Sequence, residues 1–208
     1  MFNIENDLTG AAKKLSEWAT MAARSYGIYA GINTAISHAS DKSTLSVHHA
    51  DEIRAQMALM TVVRAFALLD RSTDLSIQKV YRFLEQPHAL DVVSQLYSES
   101  DPHWPLDSSR NECRKFFERF LTEYRTIDWE SFGRLQSFRN NALAHIGVEI
   151  TKFVRYQELE LIVRTCARLS GEFTLMVSGL NHWPEEDIDE YSRSAFEFWS
   201  SLFAADVT

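Results

Sequence analysis

Apolar residues recur along most of the chain at spacings of three and four, the period that lines one face of a helix. Over residues 8–39 the stripe takes in Leu8, Leu15, Trp18, Ala22, Tyr29 and Ile36 and predicts a long first helix. A ridge of small residues runs along the same segment at intervals of four: Ala19, Ala23, Gly27, Gly31, Ala35 and Ala39. Small side chains at that interval let a second helix approach closely. Glycine inside a helix costs about 1 kcal/mol relative to alanine, so Gly27 and Gly31 imply a packing reason. That reason is either a crossing within one core or a seam between two copies.

Residues 44–71 predict a second helix with Ile53, Met57, Met60, Ala67 and Leu68 inward. Arg64 falls on that stripe, Asp70 at its edge and Arg71 one heptad further on. Two short helices follow, over 76–85 and up to about 97, separated by Pro87, and then a loop over 98–107 with Pro102, Trp104 and Pro105. Asp107, Ser108 and Ser109 are good caps for a helix reaching Ile127, with Phe116, Phe117, Phe120 and Leu121 inward. Its basic residues Arg110, Arg114, Lys115 and Arg119 are diluted by Glu112, Glu118 and Glu123, as on a solvated face. Asp128 caps the next helix, 156–181 form another, and Pro184 opens a last one over 184–204. The aromatic side of that last helix, Phe196, Trp199 and Phe203, should close the core or cover a partner.

No stretch alternates long enough to read as a strand, and only seven glycines and four prolines interrupt the chain. The expected class is therefore all-α, as a single domain over 1–208 with a helical core over about 44–181. Cys113 and Cys166 lie far apart without metal-ligand spacing and read as free thiols of a reducing cytoplasm. The longest apolar run, Ala58 to Leu69, is broken by Arg64 and is too short to span a bilayer. A cytoplasmic protein without membrane contact is expected. The net charge of −8 excludes a general nucleic-acid coat but leaves room for a local basic cleft. His48 and His49 are adjacent, so they point apart and make a poor chelate. No phosphate loop, nucleophile elbow or metal cluster is present, and no cofactor is expected.

The unusual stretch is residues 138–146, Phe-Arg-Asn-Asn-Ala-Leu-Ala-His-Ile, before Gly147. As a helix it puts Leu135, Phe138, Ala142, Leu143 and Ile146 on one side, with Arg139 near the middle of the stripe and His145 at its edge. An unpaired charge on a buried face is very costly. Either Arg139 has a carboxylate partner, for which Asp70 is the first candidate, or the stripe lines a cleft that binds an anion. At the end of a helix, His145 feels a negative dipole that favours the imidazolium. Arg139 and His145 are six residues apart, about 120° around a regular helix, so one copy does not converge them on one atom.

Arg139-Asn140, four intervening residues and His145 resemble the signature of the HEPN family. Phe66-Ala67-Leu68-Leu69-Asp70-Arg71 upstream and Tyr156-Gln157-Glu158-Leu159 downstream resemble its abortive-infection U-type branch. The resemblance implies an all-α bundle, here with an extra N-terminal helix, acting as a metal-independent endoribonuclease. It further implies a toxin or antiphage effector that works as a homodimer on an RNA substrate, with a possible antitoxin protein as partner. Arg139, Asn140 and His145 would be catalytic, with two copies forming one cleft, and Asp70, Arg64 and Arg71 would support them. The other reading is a silent helical dimer in which Arg139 and His145 only hold the core or an interface.

Overall fold

The computed structural model describes residue 4 and residues 7–100, 106–144 and 155–205. Among these residues it has eight α-helices and no strands. They are α1 (Leu8–His38), α2 (Leu45–Leu69), α3 (Ile77–Leu84), α4 (Ala89–Ser100), α5 (Leu106–Arg125), α6 (Trp129–Ala144), α7 (Tyr156–Ser178) and α8 (Pro184–Ala205). The class expected from the apolar period, all-α, is the class observed.

The helix boundaries follow local chemistry. Asp7 Oδ1 accepts the Gly10 N–H at 2.7 Å, which satisfies a free donor at the start of α1. Asp128 Oδ1 accepts from the backbone of Glu130 at 3.0 Å and Ser131 at 3.1 Å, the expected cap of α6. Pro184 occupies the first turn of α8, followed by Glu185, Glu186 and Asp187. Two helices end two or three residues earlier than expected. α2 stops at Leu69 because Asp70 turns extended, at ψ 117°, and its carboxylate accepts the Ser72 N–H at 2.9 Å. α7 stops at Ser178 because Gly179 is left-handed, at φ 64°, and closes the helix with a 3.0 Å bond to the Leu175 carbonyl.

α1 is the central element and packs against α2, α7 and α8. One apolar core draws residues from all eight helices, including Tyr26, Phe66, Ile77, Val93, Phe120, Leu135, Phe173 and Ile188. A smaller cluster at the far end of α1 joins Ile32, Ala35, Val47, Ala50 and Phe203. Phe196 and Trp199 pack on it, so the aromatic side of α8 closes the core of its own chain.

The small-residue ridge of α1 is likewise used within the chain. A Cβ on Gly27 would stand 2.6 Å from the Ile188 carbonyl oxygen, and one on Gly31 would meet the Ser192 carbonyl oxygen. Both contacts are with the backbone of α8. The ridge is a helix crossing, not a free surface awaiting a second copy.

Candidate functional site

α6 reaches the site from Phe132 and Leu135, which are buried, through Phe138, which is half-buried. Arg139 follows one turn after Leu135 and is exposed. Arg139 therefore surfaces at the end of the apolar stripe. Its guanidinium lies over the Phe66 ring, 4.8 Å from the centroid, well inside cation–π range. Phe66 is held flat from behind, since the Phe132 ring stacks on it at 5.4 Å with 8° between the planes. Phe132 and Phe66 thus form an apolar floor, and Arg139 caps it at the surface.

Arg139 has no carboxylate within ion-pair distance among the described residues. Its Nη1 donates instead to Asn140 Oδ1 at 3.0 Å. With that oxygen turned inward, the Asn140 amide group is left to present its N–H donors. No hydrogen bond from them is formed among the described residues. Two adjacent residues therefore offer donors only, one of them a permanent cation, which is the chemistry that receives an oxyanion. Arg24, Arg54, Arg110, Arg119, Arg134, Arg164 and Arg168 each pair with an aspartate or glutamate.

The proposed partner of Arg139, Asp70, is engaged elsewhere. Its two carboxylate oxygens accept the Ser72 N–H at 2.9 Å and the Ser72 hydroxyl at 2.7 Å. An aspartate at the end of a helix with serine two residues on closes a local turn, and that turn wins over a distant ion pair. Arg64 turns the other way, towards α1, where Nη1 donates to the Met21 carbonyl at 2.8 Å and to Ser25. It braces α1 against α2 and does not face Arg139. Arg71 is exposed just past the end of α2. His145 lies outside the described residues, as do Gly147 and the segment 145–154. The structure therefore brings Arg139 and Asn140 together and separates Arg64 from them.

Phe66 is the site residue that sequence patterning passes over. It reads as one more core position of α2, and nothing local marks it as the seat of a residue 73 positions later. The single cue is Phe132, one heptad before Arg139 on the same helix.

Cys113 and Cys166 are both buried. Burial pushes the Cys113 thiol up to about 11, and burial raises Cys166 further, so both thiols stay protonated. Among the described residues no group of three or more His, Cys, Asp or Glu is placed to hold a metal ion. No described helix is long and apolar enough to cross a membrane. No family model matches the chain, and neither a curated protein nor a solved structure matches it.

Proposed function

We propose that the chain is a HEPN-type, metal-independent endoribonuclease that acts as a toxin or antiphage effector. The observation that carries the reading is Arg139. It is exposed, seated on an aromatic floor, joined to Asn140 and without an acidic partner among the described residues, inside the sequence Arg-Asn-x4-His. Arg134 and Arg168 look different, because they are bridged to carboxylates. The reading in which Arg139 and Asp70 form a structural pair is disfavoured by the Ser72 turn that occupies Asp70.

The chemistry asked of these residues is modest. A base takes the proton of an RNA 2′-hydroxyl, whose oxygen attacks the adjacent phosphorus. The bond to the 5′-oxygen breaks, and an acid returns a proton to that leaving oxygen. The products are a 2′,3′-cyclic phosphate and a 5′-hydroxyl. Arg139 would hold the non-bridging oxygens as negative charge grows on them, with the Asn140 amide beside it. His145 would carry the proton, since imidazole alone changes charge near neutrality without special help. A second copy would complete the cleft, because residues six apart on a regular helix would stand about 120° from each other. The RNA substrate, the homodimer and a neutralising antitoxin protein all belong to this proposal.

The test is incubation with total RNA and with tRNA in EDTA, beside Arg139→Ala and His145→Ala. Cleavage by the unaltered protein alone, leaving 2′,3′-cyclic phosphate ends, is the expected result. Cleavage that survives both substitutions would place the chemistry elsewhere on the chain. No cleavage by any of them, with equal folding and dimer content, would favour a silent module.

A further inference from the structure

We propose that Trp129 is a stacking seat for one base of the RNA strand whose phosphate lies at Arg139. The inference rests on the nuclease reading for the nature of the strand, and it adds a residue that grips the strand beyond the cleaved phosphate. Five aromatic rings make one unbroken run from α3 to the Arg139 seat. Tyr81 of α3 stacks on Tyr124 of α5, with centroids 3.8 Å apart and 14° between the planes. Tyr124 meets Trp129 at 5.6 Å, Trp129 meets Phe132 at 5.7 Å, and Phe132 stacks on Phe66 at 5.4 Å. Phe66 carries the Arg139 guanidinium.

Trp129 differs from the other rings of the run in two ways. It is 40% exposed, whereas Phe66 and Phe132 are buried and Tyr81 and Tyr124 half-buried. It is also the ring without a parallel partner. Tyr81 lies nearly flat on Tyr124 and Phe66 nearly flat on Phe132, but Tyr124 and Phe132 meet the indole at 60° and 88°. No described ring stacks parallel on the indole, and its Nε1 donates no hydrogen bond among the described residues. A parallel π-face is what a nucleobase needs, whatever its sequence. The two tilted neighbours hold the indole in place, so presenting it to a strand costs little side-chain entropy.

The spacing suits a strand. Trp129 opens α6, ten residues before Arg139. At about 1.5 Å and 100° per residue, that is about 15 Å along the helix and about 80° around it, on the side that Arg139 shares. Phe132 stands between them, about 20° from Arg139. Glu130 is turned by about 180° and pairs with Arg134. A length of about 15 Å takes roughly four stacked nucleotides at about 3.4 Å each. Cations flank the other end of the run. Arg125 Nε donates to the Tyr81 hydroxyl at 3.4 Å, and the charge of Arg82 acts on the Tyr124 hydroxyl. The acids there are engaged: Glu85 accepts the Tyr81 hydroxyl at 2.6 Å, and Asp128 caps α6 through Ser131. An open indole between Arg139 and these cations matches a chain in which bases and phosphates alternate.

Anisotropy titrations of the full chain with a fluorescein-labelled oligouridylate of about eight nucleotides, long enough to reach from Arg139 to Trp129, test this. The 2′-hydroxyls of the probe are methylated, so it binds without being cleaved. Trp129→Leu keeps apolar bulk but removes the aromatic face, and should weaken binding at least about fivefold, whereas Trp129→Phe should restore most of it. Phe198→Leu, at an aromatic position 58% exposed on α8, should leave binding unchanged. On the cleavable oligomer, Trp129→Leu should raise KM by the same factor and keep kcat within about twofold, with cleavage of a uridine dinucleotide unaltered. Equal binding by the leucine and phenylalanine variants, or no binding by the unaltered protein, overturns the inference. Cleavage by the unaltered protein with KM untouched in Trp129→Leu overturns it too and leaves the nuclease reading standing. Binding that depends on Trp129, without cleavage, supports the seat and tells against the nuclease.

Discussion

Three glycines in helices make a test of the α1–α8 crossing that gives opposite signs. A methyl group on Gly31 lies against the Ser192 carbonyl oxygen and 2.9 Å from both Ala195 Cβ and the Phe196 nitrogen. One on Gly27 lies 2.6 Å from the Ile188 carbonyl oxygen and 2.9 Å from Tyr191 Cβ. Most of these neighbours are backbone, which cannot swing aside, so α8 must be pushed outward as a unit. Gly133, in α6, is exposed and has nothing within 4 Å of an added Cβ. Alanine is better than glycine in a helix interior by about 1 kcal/mol. Forcing a methyl group into a filled contact costs about 1–3 kcal/mol. Gly133→Ala should therefore stabilise by up to about 1 kcal/mol, and Gly31→Ala should destabilise by roughly 1–2 kcal/mol after the propensity gain is set against the clash. For a chain of 208 residues each kcal/mol moves Tm by about 2–4 °C. The double variant Gly27→Ala, Gly31→Ala should lose less than the sum, because one outward shift of α8 relieves both clashes. Thermal and urea unfolding followed by circular dichroism, at two protein concentrations, reads these three variants and the Gly27→Ala single. A rise in Tm for Gly31→Ala matching that of Gly133→Ala would refute the close crossing. A loss that shrinks at high protein concentration would place the glycines in a seam between copies.

Further outcomes follow from single side chains. Arg139→Ala, at an exposed position, should leave the urea midpoint within about 0.5 kcal/mol of the parent while abolishing RNA cleavage; a large loss of stability would mean that Arg139 is structural. Phe66→Leu removes the ring beneath Arg139 and should cost about 1–2 kcal/mol, with cleavage well below Tm falling by about tenfold because the guanidinium loses its seat. Unchanged cleavage would show that the floor does not position Arg139. Burial holds the Glu172 carboxyl above its usual range, partly offset by Arg119, so the folded state keeps its proton longer than the unfolded one. That contribution to stability is present at low pH and is lost as pH rises from the ordinary carboxylate value through the raised one. Glu172→Gln should flatten this fall in urea midpoints; an unchanged profile would assign the slope to other groups. Hydrogen bonds from Ser131 hold the Asp128 carboxyl below its usual value, so its contribution is present at neutral pH and lost as pH falls. Asp128→Ala should speed amide hydrogen exchange at the start of α6 at neutral pH, and equal rates would deny the cap its role.

The apolar period reveals the helices because burial of one face dominates their stability, and Asp128 and Pro184 mark starts that need no tertiary partner. Ends are less visible where a local turn overrides the stripe. Asp70 with Ser72 stops α2, and left-handed Gly179 stops α7, short of the expected ends at 71 and 181. The small ridge on α1 encodes close approach without encoding the partner, and only the fold assigns it to α8. Helical phase likewise does not separate the two alternatives for Arg139, a carboxylate partner or an open cleft. Helical phase tells which residues share a face, not how far the neighbouring helix extends beneath it. Phe66 stands only three residues before the last residue of α2, so Arg139 comes over the core's edge and surfaces.

Two arginines on α6 are held in different ways at that edge. Arg134 forks onto Glu158 of α7 at 2.9 Å and also reaches Glu130 at 2.6 Å and the Ser131 hydroxyl at 2.7 Å. Glu158 in turn accepts the Arg155 N–H at 3.2 Å, so the pair ties α6 to the first turn of α7. Arg139 is five residues further on, about 140° around the helix, and faces α2 in place of α7. Fixing Arg134 on one flank therefore fixes the rotation of α6 and aims Arg139 at Phe66 on the other. The carboxylates that neutralise Arg134 also keep that flank from attracting an anion. Of the two charges, the one that orients the helix is paired, and the one on the other flank has no carboxylate partner among the described residues.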